Sequence, residues 1–269
     1  MIARRVTRYG SLAYLALILI APVGLIFGRA FEHGIGALVD ALTTHDALHA
    51  LELTLLVVAI AVPLNTVFGV ACALALERRP FRGRALVDRV IDLPFVISPI
   101  VVGLALILVY GEQGWLGHSL TDAGIRVIFS TPGIVLATTF VSLPFVVREV
   151  VPVLREIGTE QEEAAATLGS PALTTFWRIT LPAIRWAVAY GVVLTTARCL
   201  GEFGAVAIVS GGIAGRTQTL TQYVQASYEN FDQTGAYAAS VLLAALAIVT
   251  LVLMTMFRPR EEVHGDRGA

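Results

Sequence analysis

The chain has 269 residues, 56% of them hydrophobic and 14% charged, with a formal net charge of −1. Soluble domains carry roughly 25% charged residues, so this balance excludes an ordinary water-soluble domain and implies a chain that crosses a membrane several times. All 19 basic residues are arginine, which excludes a phosphate-loop lysine, a Schiff-base lysine and a Ser-Lys dyad.

A bilayer core about 30 Å thick needs about 20 apolar residues in a helix. Six segments meet that length, predicting an all-α polytopic membrane protein: 10–29, 53–76, 92–110, 131–151, 186–209 and 236–257. Residues 1–9 and 259–269 are left as tails around a transmembrane domain over 10–258. The first run ends in Gly28-Arg29-Ala30, a small-x-small site, so a signal peptide is an alternative. Its apolar stretch exceeds the usual length of about 7–15 residues, which favours an uncleaved span.

Residues 31–52 mix Phe31, Ile35, Leu38, Leu42 and Leu48 with histidines and acids, as a short interfacial amphipathic segment does. Within it His45 and His49 lie four apart beside Asp46 and Glu52, a possible metal-ligand spacing without a third placed ligand. An exposed polar face is the expected reading. The second span carries Cys72 and the fifth Cys199, both read as buried free thiols. The third and fourth spans contain Pro94, Pro99 and Pro144, which neighbouring helices can accommodate. Tyr9, Tyr110, Trp115 and Trp186 sit near span ends, where aromatic belts form.

Between the fourth and fifth spans, residues 152–185 are polar. Thr159 and Glu162 have the spacing of a capping box, and a helix is predicted through Glu163, Ala164, Ala165 and Leu168. Gly169 is a left-handed stop, Ser170 a new N-cap and Pro171 a first helical position. A second helix carries Leu173, Phe176, Trp177, Thr180 and Leu181 at helical spacing, with Pro182 ending it. Two capped helices at a fixed angle suit either docking of a partner or local packing.

In the fifth span Arg198 and Glu202 stand four apart, the only charges expected inside a span. Each costs about 2.5–3.5 kcal/mol at the bilayer centre, and pairing lowers that cost. A structural ion pair and a place on a permeation path are both open. Thr195 and Thr196 are candidate lining hydroxyls, and Gly201 and Gly204 favour close helix approach. The following Ser210–Thr217 loop imitates a phosphate loop, but Ser210 replaces its first glycine and Arg216 its lysine.

Arginine orients the bundle. One face holds Arg4, Arg5, Arg8, Arg78, Arg79, Arg82, Arg84, Arg89, Arg148, Arg155, Arg178, Arg185, Arg258, Arg260 and Arg267; the other holds only Arg29, Arg126 and Arg216. With an even number of spans, this predicts both termini and residues 152–185 in the cytoplasm.

One motif is specific. Glu163-Ala164-Ala165, three residues, Gly169, nine residues, Ile179, one residue and Leu181-Pro182 match the EAA-loop signature of ABC importer permeases in letters and spacing. The resemblance runs from about residue 10 to 258 and implies a type I importer permease. In that family the hairpin is a coupling helix seated in a cleft of the cytoplasmic ATPase. Glu163, Ala164, Ala165 and Gly169, with Ile179, Leu181 and Pro182 of the signature, would then be the docking residues.

The stretch Leu200-Gly201-Glu202-Phe203-Gly204-Ala205 resembles the fifth span of sulfate and molybdate permeases. Val209–Gly212, Arg216–Leu220 and Thr234–Ala239 are most similar to the W-type subunit of the sulfate branch. The resemblance implies a multi-pass protein of a prokaryotic cytoplasmic membrane that catalyses no covalent chemistry itself. Its expected partners are membrane lipid, a second homologous permease, a cytoplasmic ATPase dimer that binds ATP and magnesium, and an extracytoplasmic sulfate-binding protein. No cofactor, metal or nucleic acid is expected on this chain.

The expected cargo is sulfate, with thiosulfate alongside it and molybdate or tungstate as the alternative. An ion-coupled carrier with Glu202 as relay is a rival, though no internal repeat supports it. A membrane enzyme is another, but no nucleophile elbow or HExxH pair is present.

Overall fold

The computed structural model describes residues 2–257, and every regular element among them is helical. Residue 1 and residues 258–269, with Arg258, Arg260, Arg267 and the expected 259–269 tail, lie outside the described residues. Five helices are long and apolar enough to cross a membrane: Tyr9–Ala30, His45–Arg78, Thr131–Ile157, Ala172–Leu200 and Gln233–Met256.

The expected third span over 92–110 is not one helix. Short helices Arg84–Ile91 and Leu93–Val96 precede a break, and only Pro99–Tyr110, 12 residues and about 18 Å long, forms the remainder. The cause is local. Pro99 disfavours helical backbone at the residue before it, and Ser98 accordingly sits at ψ 134, with Ile97 already extended at ψ 133.

Other spans keep their identity but shift. The second begins at His45 rather than 53, and only Gly34–Leu42 remains of the expected interfacial segment. The fourth continues through Pro144 to Ile157. The fifth starts much earlier than 186 and stops at Leu200 rather than 209.

The chain divides into two units. The first comprises Met1–Thr54 and Gly212–Leu246. Its core is Ala47, Ala50, Leu220, Tyr223 and Ala239. There the Leu220 N–H donates to the Thr54 hydroxyl (2.8 Å), and a capping box forms between Thr219 and Gln222.

The second unit, Leu55–Gly211 with Ala247–Ala269, holds the hairpin and the charged pair. Its main apolar cluster joins Val70, Ala73 and Leu76 to Val146, Val147, Val150 and Leu154 and to Ile184 and Ala187. Gly69 permits this approach: a Cβ there would stand 2.7 Å from the Val146 Cβ. A buried polar tie runs alongside. Asn65 Nδ2 donates to the Ser142 hydroxyl (2.8 Å) and the Thr139 carbonyl (3.1 Å), and the Cys199 thiol donates to Ser142 (3.3 Å). The Ser142 hydroxyl donates in turn to the Thr138 carbonyl, and in a medium without water such a tie is retained because no solvent can replace its bonds.

Candidate functional site

The polar stretch between the fourth and fifth spans folds as a hairpin. Gly158, at φ 65 and ψ −163, closes the preceding helix in a conformation natural to glycine. The first hairpin helix, Glu160–Thr167, ends in a Schellman closure. The Ser170 N–H donates to the Ala165 carbonyl and the Gly169 N–H to that of Ala166, both at 3.0 Å, with Gly169 at φ 82. Gly169 is the stop its position predicts.

Three local expectations are corrected. The capping box at Thr159 does not form: the Thr159 hydroxyl donates to Glu163 Oε1 (2.7 Å) instead. Glu162 turns away, its Oε2 lying 2.8 Å from Arg78 Nε while its Oε1 accepts the Thr180 hydroxyl at 2.8 Å. This arrangement wins because the Thr180 hydroxyl bond to a charged carboxylate contributes about 1.5–3 kcal/mol against about 1 kcal/mol for a cap, and the ion pair with Arg78 adds to it.

Pro171, not Ser170, is the cap of the second helix, its carbonyl accepting the Thr175 N–H at 3.0 Å. Nor does Pro182 end that helix, which runs unbroken from Ala172 to Leu200. A π turn over Phe176–Thr180 ends two residues before Pro182. The widened turn makes room where the proline ring would meet the carbonyl four residues back. The second hairpin helix is therefore the opening of the fifth span.

Exposure sorts the docking candidates. Glu163, Ala164, Gly169 and Pro182 are exposed, Ile179 and Leu181 are half-buried, and Ala165 is buried within the hairpin. Around them Leu168, Leu173 and Trp177 stand 88%, 70% and 60% exposed. The hairpin thus carries an apolar tip with a carboxylate, Glu163, beside it.

In the fifth span, Arg198 Nη2 meets Glu202 Oε2 at 2.6 Å, as the spacing predicts. The backbone around them departs from expectation, because the helix stops at Leu200 and restarts as Gly204–Ser210. Glu202 sits in the break, its side chain 2% exposed, and its Oε1 accepts the Ala205 N–H at 2.9 Å. It caps the short helix, whose N-terminus favours a negative charge.

Gly204 packs against Pro99 of the same chain, and Gly201 is exposed with no close neighbour beyond its own helix. Thr195 is fully buried, while the Thr196 hydroxyl donates to the Val192 carbonyl (2.8 Å). Nor are Arg198 and Glu202 the only charges in a span helix. Arg148 and Glu149 lie in the fourth, where Arg148 grips Asp92 through two nitrogens and Asp88 through a third (3.0 Å).

The loop resembling a phosphate cradle turns the amides at its end inward. The N–H groups of Arg216, Thr217 and Gln218 all donate to the Ile213 carbonyl. His45 and His49 stack at 6.5 Å, and among the described residues no group of three His, Cys, Asp or Glu side chains could hold a metal.

Sequence reasoning counted Arg78 only as one more loop cation. In the structure its guanidinium holds Glu162 and donates to the carbonyls of Leu154 (2.9 Å) and Gly158 (2.8 Å). Its position, last in a long apolar helix and followed by further arginines, was the available signal.

Residues 65–263 match the model of a family described as the binding-protein-dependent transport system inner membrane component. The chain belongs to this family. This transport-system membrane component is 51% identical over 250 residues to the sulfate transport system permease protein CysW of Synechococcus elongatus, covering 93% of this chain and 87% of that protein. It is 38% identical over 247 residues to the sulfate transport system permease protein CysT of Salmonella typhimurium, covering 91% of this chain and 89% of that one. A chain of a bacterial alginate ABC transporter, solved with an alginate-bound periplasmic protein, superposes with a TM-score of 0.77. The superposition covers 95% of the membrane component and 92% of that chain at 17% identity, a likeness of fold. The binding-protein-dependent component is thus a multi-pass inner membrane transport subunit with the ABC importer permease fold.

Proposed function

We propose that this subunit moves sulfate into the cytoplasm as one of two homologous permeases in an ATP-driven importer. The similarity to a sulfate transport permease over nearly the whole chain carries this reading. The weaker but equally extensive similarity to a second sulfate permease supports a heterodimer of related subunits. The hairpin faces the cytoplasm in this reading, and the exposed Glu163, Ala164, Leu168 and Gly169 seat in a partner ATPase. An external binding protein captures the anion, because a path that held a dianion tightly would stall its release.

Arg198 is the cation proposed for the path, with 29% of its side chain exposed, while Glu202 is assigned to holding it and capping the next helix. Thr195, Thr196, Gly201 and Gly204 remain path candidates in support of it. Reconstitution with the ATPase and binding protein tests the assignment. Sulfate is expected to stimulate ATP hydrolysis and enter the vesicle, thiosulfate is expected to follow, and selective stimulation by molybdate moves the cargo to that oxyanion. Uptake that persists without ATP on a proton gradient overturns the importer reading.

A further inference from the structure

We propose that Arg78 is a positioning residue that hands movement of the Glu160–Thr167 helix to the end of the second span, an inference that rests on the hairpin being the ATPase-docking element. One guanidinium gathers three parts of the fold. It closes the His45–Arg78 helix. Two of its nitrogens occupy the carbonyls of Leu154 and Gly158, at the end of the fourth helix, where a cation also suits the helix dipole. Its Nε faces Glu162 of the first hairpin helix, and the second oxygen of Glu162 holds Thr180 at the end of the π turn. Both partners are mostly shielded, at 14% and 21% exposed.

Apolar packing does not duplicate this link. The cluster that the second span shares with the fourth and fifth includes no side chain from 160–167. Instead a crevice of about 640 Å³ lies where such packing would be, lined by Ala71 and Ala75 of the second span and Ala166, Ala172 and Phe176 of the hairpin. Gly158 supplies a pivot between the fourth helix and the hairpin. Phe176 and Leu181 tie the second hairpin helix to that cluster, whereas the Glu160–Thr167 helix, on a glycine pivot beside open space, reaches the second span through the ion pair. The planar fork of arginine bonds the Leu154 and Gly158 carbonyls through its two terminal nitrogens while keeping its charge beside Glu162, which the single ammonium of lysine does not.

The test uses the whole transporter in proteoliposomes with radiolabelled sulfate, comparing Arg78→Gln, Arg78→Lys, Glu162→Gln and the double variant Arg78→Gln/Glu162→Gln. Coupling networks of this kind shift coupling by a few-fold to tens of fold. ATP hydrolysed per sulfate imported is therefore expected to rise about tenfold in Arg78→Gln and Glu162→Gln. The double variant is expected to be no worse than either single one, Arg78→Lys to recover part of the loss, and ATPase copurification to stay at the wild-type level.

A cargo-independent measurement places spin labels on Arg79→Cys and on Gln161→Cys, an exposed position of the Glu160–Thr167 helix, in a Cys72→Ala, Cys199→Ala background. Their separation is expected to stay constant on ATP binding with Arg78 present and to change in Arg78→Gln. A wild-type coupling ratio in Arg78→Gln, or a separation that already changes with Arg78 in place, overturns the proposal. Failure of the docking reading looks different: Glu163→Arg then retains ATPase copurification and import whatever Arg78 does.

Discussion

Glu202→Ala tests whether the buried carboxylate holds the broken fifth helix together. The substitution removes two contacts, the 2.6 Å pair with Arg198 and the 2.9 Å bond from the Ala205 N–H. Removing one partner of a buried pair costs about 3–5 kcal/mol, because the other charge is left without compensation. Arg198 retains 29% exposure, so water takes up part of that loss and about 2 kcal/mol remains. The lost cap adds about 1 kcal/mol. A total of about 3 kcal/mol lowers the Tm by about 6–12 °C in a chain of this size.

The assay is thermal unfolding of the detergent-purified protein, followed by a thiol-reactive dye that reports exposure of buried Cys199. Glu202→Gln keeps an acceptor for Ala205 and loses only the charge, so its expected cost is about 2 kcal/mol. Arg198→Gln/Glu202→Gln removes both charges and is expected to recover most of the lost stability. That double variant also separates structure from transport, because a stable protein that imports no sulfate places Arg198 on the path. An unchanged Tm in Glu202→Ala, or a double variant no more stable than Glu202→Gln, refutes the reasoning.

Three further outcomes are expected. Glu163→Arg, fully on the surface of the hairpin, leaves membrane insertion intact but abolishes copurification with the ATPase; normal oxyanion uptake by this variant removes the docking assignment. Gly169→Val places a β-branched residue at φ 82 and costs about 1–3 kcal/mol, read as faster proteolysis at the hairpin, while Gly201→Ala, which meets no such constraint, leaves the cleavage rate unchanged. Asn65→Leu loses the bonds to Thr139 and Ser142 and costs about 1–2 kcal/mol, seen as a lower Tm without a change in ATPase binding.

The elements that were legible are those whose cause lies within a turn or two of chain. Gly169 stops its helix because the closing bonds run to Ala165 and Ala166, residues beside it. The break before Pro99 is also a clash between neighbours, yet it was missed, because the apolar run over 92–110 read as one span by length. Pro182 misled because the remedy, a π turn over Phe176–Thr180, depends on how that segment packs. The small residues at the tightest helix contacts also differ from expectation. Gly69 approaches Val146 in the core, whereas Gly201 is exposed.

Glu162 shows the limit most clearly. Its spacing from Thr159 is that of a capping box, yet such a box forms at Thr219 and Gln222 instead. Arg78 has no local signature as a partner for Glu162, Leu154 and Gly158, because those groups come together only when the second span lies beside the hairpin.

Composition, apolar length and the motif at 163–182 determine by themselves a multi-span helical permease with a polar hairpin, since bilayer thickness and backbone hydrogen bonding leave a helical chain few alternatives. Tertiary structure alone decides which charges far apart in the chain meet. An ion pair forms wherever folding delivers two groups to within a few ångströms, and in a poorly solvated interior that proximity outweighs any preference encoded between neighbours in sequence.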